Sequence, residues 1–81
     1  MKRYLLFGGD DYYPAGGWGD FLGDFDSVPD AVAAAASHPM KPQWAEVVDT
    51  ETMATVTEAT RPCVRGYVRM DTLQWSPPLV P

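Results

Sequence analysis

The segment from Ser27 to Pro39 carries the clearest local signal in the sequence, and it constrains the fold most. Ser27 stands three residues before Asp30, as an N-cap residue does in a capping box, and Pro29 is tolerated in a first helical turn. An alanine-rich run follows, and the helical pattern stops at His38 before Pro39. The sequence therefore predicts one helix of about ten residues. Because its alanines bury little area, this helix depends on a sheet for its stability.

Strand patterns lie on both sides of the helix. Before it, Lys2–Gly8 predicts a buried strand, and alternation over Phe21–Asp26 predicts a second strand that pairs with the first. After it, Gln43–Asp49 and Met53–Thr57 predict a β-hairpin, and Cys63–Met70 alternates as a further strand. No β-α-β unit is long enough to demand a parallel sheet. The predicted fold class is α+β, in the order β-β-α-β-β-β, with four to five antiparallel strands and one short helix on one face.

The length of 81 residues indicates a single domain over 1–81, with 72–81 as a Pro-rich C-terminal extension that packs as an extended segment or stays loose. A chain of this size buries only about 60–65% of its unfolded surface, which leaves little area for a deep, dry catalytic pocket. The single cysteine, Cys63, cannot form an internal disulfide, and no Cys/His set has metal-ligand spacing. We therefore expect no enzyme activity, no catalytic residues, no cofactor and no metal.

The sequence offers no candidate membrane segment. Its longest nearly uncharged run, Ala31–Met40, is about half the length that a membrane-spanning helix needs. Too few apolar residues follow Met1–Arg3 for a signal peptide. We expect a location in the cytoplasm and no membrane partner.

The net charge of −5 is concentrated in the N-terminal half, where no basic residue separates Arg3 from Lys41. We expect the acidic residues between them to be unpaired. They are Asp10, Asp11, Asp20, Asp24, Asp26 and Asp30. Such a field repels nucleic acid and favours basic partner surfaces, including the nucleic-acid channels of other proteins. The alternative is that the acidic surface only keeps a small protein soluble.

A loop rich in glycine over Gly8–Gly19 holds three large aromatic residues beside this acid. Tyrosine and tryptophan anchor protein interfaces, so the loop is a candidate interface; the alternative is that the rings fold back to cap the sheet. The candidate partner-binding residues are Asp10, Asp11, Tyr12, Tyr13, Trp18 and Asp20. A second candidate patch, for an acidic partner or for self-association as a homodimer, is Arg65, Tyr67 and Arg69, which alternate onto one face of a single strand.

Other chemistry has weaker support. A phosphate-binding loop carries basic residues, whereas this glycine-rich loop carries Asp10 and Asp11. Asp24 and Asp26 share one strand face, and they could hold a divalent cation weakly. The alternative function is therefore a small ligand- or metal-binding protein, or an enzyme, that uses a dimer cleft near Asp24, Asp26 and Cys63.

The N-terminal half also carries a recognisable series of segments, with a short strand, a Tyr-Tyr-Pro-x-Gly-Gly loop and an aromatic-Asp strand before the capped helix. The residues are Tyr4–Phe7, Asp11–Gly17, Asp20–Phe21, Phe25–Ser27, Ala31, Val47–Asp49 and Glu51–Thr52. This series resembles small uncharacterised phage and prophage proteins. Many anti-CRISPR and other anti-defence inhibitors come from that group. The resemblance implies a non-enzymatic inhibitor that acts in the cytoplasm of the host bacterium. There it would bind a defence complex at a basic, nucleic-acid-binding surface. A structural or regulatory phage accessory protein is a further alternative.

Overall fold

The computed structural model describes residues 1–9, 17–64, 68–69 and 72–76, and for 17–18, 63–64 and 68–69 it describes the backbone alone. The strands are β1 (Tyr4–Gly9), β2 (Phe21–Phe25), β3 (Trp44–Asp49), β4 (Ala54–Thr60), β5 (Cys63–Val64), β6 (Val68–Arg69) and β7 (Gln74–Ser76). The helix α1 spans Val28–Ser37, and a 3₁₀ turn over Gly17–Asp20 precedes β2. These elements confirm the predicted α+β fold with one helix.

Five strands form one antiparallel sheet in the order β2-β1-β3-β4-β7. The pairing of β1 with β2 and the β3–β4 hairpin are both as predicted, although β4 continues beyond Thr57 to Thr60. The edge strand β7 pairs with β4 over Glu58–Thr60 alone. It lies within the segment 72–81 that we expected to be extended or loose.

The single strand predicted over Cys63–Met70 is wrong. Cys63 pairs with Arg69 and Val64 pairs with Val68 in an antiparallel two-stranded sheet, so the chain reverses direction between these pairs. Alternation of side chains is the same in one strand and in two short antiparallel strands, so the pattern could not separate them. A turn signal was present, because Gly66 stands midway and glycine favours turns.

The helix begins as its sequence predicts. The Ser27 Oγ accepts a hydrogen bond of 3.2 Å from the Asp30 backbone N–H, and Ser27 itself has extended backbone angles. This contact satisfies one of the free N–H groups of the first turn. At the other end His38 is the C-cap, and its N–H donates to the Ala35 carbonyl over 3.4 Å. With ten residues, α1 is short, and no helix in the described ranges is long and apolar enough to cross a membrane.

The core lies between α1 and strands β1, β2 and β3. Its buried residues are Leu6, Ala31, Ala35, Ala45 and Val47. The two helix alanines are fully buried, which allows the helix backbone to approach the sheet closely. Partly buried rings such as Phe25 and Trp75 pack around this cluster. The helix therefore covers one face of the sheet.

The start of β1 is tied to the β3–β4 turn by Arg3. Its Nε and Nη2 donate to the two carboxylate oxygens of Asp49 over 3.0 and 2.9 Å, and Nη2 also lies 2.9 Å from Glu51. The backbone N–H and the hydroxyl of Thr50 both donate to the Arg3 carbonyl. The hydrogen bonds from Arg3 lower the pKa of Asp49, and those to Asp49 raise the pKa of Arg3. This network keeps the hairpin in register with β1.

Candidate functional site

The face of the sheet that α1 does not cover carries a second set of large side chains. Strand alternation places Leu5 and Phe7 of β1, Trp44, Glu46 and Val48 of β3, and Glu58 of β4 on this side. We call these six residues the helix-free face. The Phe7 ring also meets Phe21 of β2 edge to face, with ring centroids 5.7 Å apart. Four of the six residues are apolar and two are carboxylates, and Asp24 of β2, the register partner of Leu5, lies on the same side of the sheet.

Two grooves of about 310 Å³ each lie on this side of the sheet, and Trp44 and Glu46 line both of them. The first groove is mainly apolar and includes Leu5, Phe7, Val48 and Met53 in its walls. The second groove is more polar and is lined by Glu58, Thr60, Gln74 and Ser76. Trp44 is partly exposed and lines both grooves, so it stands between a mainly apolar groove and a more polar one. Tryptophan in such a place is the residue type most enriched in interface hot spots.

Two glutamates face each other across the hairpin on this surface. Glu46 and Glu58 are direct cross-strand partners in the β3–β4 ladder. Like charges in directly opposite positions destabilise a sheet, by up to roughly 1 kcal/mol. Glu58 is exposed and Glu46 is partly exposed, so both carboxylates are accessible from the second groove. A repulsive pair beside an accessible tryptophan is the kind of local conflict that is expected at a functional surface.

Met53 adds a second local conflict at the same surface. It is 78% exposed and lines the first groove, and its φ of 59° lies in the left-handed region. This conformation costs a residue with a side chain roughly 1–2 kcal/mol. Its N–H closes the turn by donating to the Asp49 carbonyl over 2.7 Å. Methionine is a flexible, polarisable side chain that suits adaptable binding surfaces.

The predicted loop meets the helix-free face at both of its described ends. Gly9, the last residue of β1, pairs with Trp44, and the 3₁₀ turn at the other end leads to Asp20. A methyl group placed on Gly9 would lie 3.5 Å from both Asp20 Oδ1 and Trp44 Nε1. The Asp20 carboxylate and the Trp44 indole therefore both lie beside Gly9. Asp20 is only 8% exposed. It lines the first groove at the base of the loop and does not belong to an open acidic surface.

For the other predicted site residues, the structure describes only the backbone or nothing. Asp10, Asp11, Tyr12 and Tyr13 lie outside the described residues, as do Arg65 and Tyr67. Trp18 belongs to the 3₁₀ turn and Arg69 to β6, and only their backbones are described. The reversal between β5 and β6 removes the reason for placing Arg65, Tyr67 and Arg69 on one face of a single strand. Self-association through them stays a prediction.

The expectation that the N-terminal aspartates are unpaired is wrong for Asp24 and Asp26, and Asp20 is not free of contacts either. The Lys2 backbone N–H donates to Asp24 over 2.6 Å, and Lys2 Nζ lies 3.8 Å from Asp26. The hydrogen bond from Lys2 lowers the pKa of Asp24. Antiparallel pairing of β1 with β2 produces these contacts, which are invisible to a count along the chain. Their carboxylates therefore contribute less free charge than the sequence indicates.

The positions of Asp24 and Cys63 in the fold concern the alternative function, a ligand- or metal-binding protein. Asp24 lies on the edge strand β2, whereas Cys63 follows β4, three places further across the sheet. One chain therefore does not bring these residues together, and the predicted cleft would need two copies. No group of three or more His, Cys, Asp or Glu side chains in the described ranges is placed to hold a metal ion.

Trp44, Glu46 and Val48 occupy alternate positions of the predicted hairpin strand Gln43–Asp49, but none of them was among the site residues predicted from the sequence. The useful signal was the contrast with Ala45 and Val47, whose small apolar side chains alternate with them. An alanine-rich helix packs best on small residues, so the larger set belongs on the opposite face.

Residues 4–59 match the model of a family described as Bacteriophage T4 protein Y07C, which covers β1 through nearly all of β4. No curated protein and no solved structure matches the chain. The family match confirms the resemblance to phage proteins, while the likeness to anti-CRISPR inhibitors stays a prediction. Since the matched residues make up more than half of the chain, the protein belongs to the Bacteriophage T4 protein Y07C family.

Proposed function

We propose that this phage-family protein acts without catalysis, in the host cytoplasm, by binding and inhibiting a bacterial defence complex of the CRISPR type. The target surface is basic and normally binds nucleic acid. The observation that carries the proposal is the helix-free face, where Trp44 stands between two grooves beside the opposed carboxylates of Glu46 and Glu58.

The two kinds of side chain on this face have separate tasks in binding. Carboxylates steer a basic partner during encounter and discriminate against acidic surfaces. Trp44 and Phe7 supply apolar area, because an aromatic side chain buries about 150–250 Å² when it is fully covered. Met53 lets the wall of the apolar groove adjust to the partner. Salt would therefore weaken binding mainly by slowing association.

The size of the sheet indicates that the helix-free face does not act alone. Five strands about 4.8 Å apart and about 17–20 Å long present roughly 400 Å². A stable interface takes about 800 Å² from each partner. We assign the rest to the loop that begins after Gly9, with Asp10, Asp11, Tyr12, Tyr13 and Trp18 as contact residues. Asp20 instead supports the base of that loop, since it is mostly buried beside Trp44.

A plating assay tests inhibition. Bacterial strains that each carry one defined CRISPR-type system are infected with a phage which that system targets, with and without expression of this protein. We expect the protein to restore plaque formation in at least one strain. The variant Trp44→Ala should lose the restoration, whereas Asp26→Asn, which neutralises an exposed carboxylate outside the helix-free face, should retain it. Failure to restore plating in every strain would show the proposal to be wrong.

A binding assay then tests the mechanism. The purified effector complex of the responding strain is immobilised, and association of the protein is followed at increasing salt. We expect the association rate to fall with salt and with charge reversal of Asp10 and Asp11. Circular dichroism verifies that each variant remains folded. Inhibition that persists without detectable binding, or binding that ignores both salt and charge reversal, would contradict binding to a basic surface.

A further inference from the structure

We propose that Trp44, Glu46 and Glu58 form a receptor for a single arginine side chain of the partner protein. This inference rests on the proposed function, and it specifies which chemical group the helix-free face recognises. The guanidinium lies between the two carboxylates, and the indole packs against its plane or its aliphatic stem.

The carboxylates are arranged for a cation that comes from outside the described chain. Directly opposed residues of an antiparallel pair have Cβ atoms about 4.5–5.5 Å apart, so Glu46 and Glu58 can approach one group from two sides. The ion pairs of the described residues join Lys2 to Asp26 and Arg3 to Asp49 and Glu51. None of them includes Glu46 or Glu58. A cation between these two carboxylates would replace a repulsion by two attractions.

Trp44 favours arginine over lysine at this place. It precedes Glu46 by two residues on the same face, and it lines the groove that Glu58 also lines. A guanidinium is planar, it stacks on aromatic rings, and its donors point in several fixed directions in one plane. Two carboxylates on different strands can therefore accept from different edges of one guanidinium. An ammonium group is a strongly hydrated point charge and gains less from the ring.

The surroundings limit what flanks the arginine in the partner. On one side of Trp44 the groove is mainly apolar, with Leu5, Phe7 and Val48 in its walls and Asp20 at its edge towards the loop. On the other side Gln74 and Ser76 offer neutral polar atoms beside Glu58. The fitting segment has an apolar residue next to the arginine and carries no acidic residue there, because Glu46 borders both grooves.

The test uses three blocked tripeptides with a central arginine, lysine or citrulline between glycines. Citrulline keeps the shape of arginine without its charge. The ¹⁵N-labelled protein is titrated, and the indole N–H signal of Trp44, assigned with Trp44→Phe, is followed. We expect a saturable shift with the arginine peptide, with a dissociation constant of millimolar order, a smaller response with lysine and none with citrulline.

Variants identify the carboxylates. Glu46→Gln and Glu58→Gln should each weaken binding of the arginine peptide about two- to fivefold, as expected for ion pairs at a protein surface. Asp26→Asn is the matched control and should leave binding unchanged. Both variants should stay folded, because each removes a repulsion. The absence of a saturable shift, an equal response to citrulline, or insensitivity to both glutamine variants would overturn the inference.

Occupation by the chain's own arginines is a separate outcome. If Arg65→Ala or Arg69→Ala moves the Trp44 indole signal and the arginine peptide does not, an arginine of the chain itself occupies the position between Glu46 and Glu58. The inference is then wrong. The plating assay distinguishes the two proposals. Restored plating without arginine binding overturns the arginine receptor alone, whereas arginine binding without restored plating in any strain overturns the inhibitory function.

Discussion

Two adjacent glycines at the end of β1 should respond in opposite ways to the same substitution. A methyl group on Gly8 would lie 2.8 Å from the backbone oxygen of Trp44, 3.0 Å from a methyl carbon of Leu22 and 3.2 Å from Pro42. The shortest contact is with backbone, which cannot rotate away as a side chain can. Strands β1 and β3 would therefore have to move apart at this point.

The expected cost of Gly8→Ala is that of overpacking a tight interior, about 1–3 kcal/mol. For a domain of this length 1 kcal/mol corresponds to roughly 4–8 °C in Tm, so Gly8→Ala should lower Tm by about 4–24 °C. A methyl group on Gly9 instead meets its nearest atoms at 3.5 Å, an ordinary van der Waals distance. Gly9→Ala should leave the stability unchanged or raise it by up to about 1 kcal/mol, because alanine restricts the unfolded chain.

Urea denaturation followed by circular dichroism and tryptophan fluorescence measures both variants. The free energies of unfolding should differ by about 1–4 kcal/mol, with Gly8→Ala the less stable and the urea dependence of both unchanged. Equal destabilisation by both substitutions would refute the reasoning, and so would a Gly8→Ala protein as stable as the original. Either result would mean that β1 and β3 are not packed as closely at Gly8 as the structure indicates.

Three further substitutions test other parts of the molecule. Ser27→Ala removes the N-cap acceptor of the Asp30 N–H and should cost about 1 kcal/mol in thermal or urea unfolding, whereas Ser37→Ala, at the far end of the helix, should cost less. Met53→Gly relieves a left-handed conformation and should raise the stability by about 0.5–1 kcal/mol while weakening partner binding, since it removes a groove wall. The hydrogen bonds from Arg3 lower the pKa of Asp49 in the folded chain, so their stabilisation is complete above the unfolded value near pH 4 and is lost as the pH falls through the lowered folded value. Asp49→Asn should therefore flatten the acid limb of a plot of Tm against pH, and an unchanged acid limb would contradict this linkage.

The parts of the fold that were predictable from sequence carry short-range signals. Ser27 marks the start of the helix, and alternation through Trp44–Asp49 marks a strand of the hairpin. The edge strand β7 has no such signal, because it depends on pairing with Glu58–Thr60 and on the packing of Trp75 against the core. The division of Cys63–Met70 into β5 and β6 likewise depends on how the chain reverses. These features depend on contacts across the sheet, which cannot be predicted from the alternation of apolar and polar residues along the chain.

In the candidate site, too, some features were predictable from the sequence and others depend on contacts across the sheet. The acidic, aromatic character of the N-terminal loop can be read from composition, but the distribution of charge in space cannot. Pairing of β1 with β2 brings Lys2 to Asp24, and folding of the 3₁₀ turn buries Asp20. Pairing of β3 with β4 brings Glu46 opposite Glu58, although twelve positions separate them in sequence. A charge count along the chain therefore overstated one acidic surface and missed another.

The two faces of the sheet suggest that folding and binding are linked. The helix side is filled mainly by small residues, and the largest fully buried side chains include only Leu6 and Val47 among the apolar residues of the sheet. Every aromatic side chain that the structure describes keeps part of its surface exposed. Covering a further 100 Å² of the rings on the helix-free face would contribute about 2.5 kcal/mol, a large fraction of the stability of a domain this small. A partner that covers Trp44 and Phe7 binds only the folded chain, so it must stabilise the domain in proportion to its affinity. Covering the helix-free face would therefore both form the complex and raise the free energy of unfolding of this small domain.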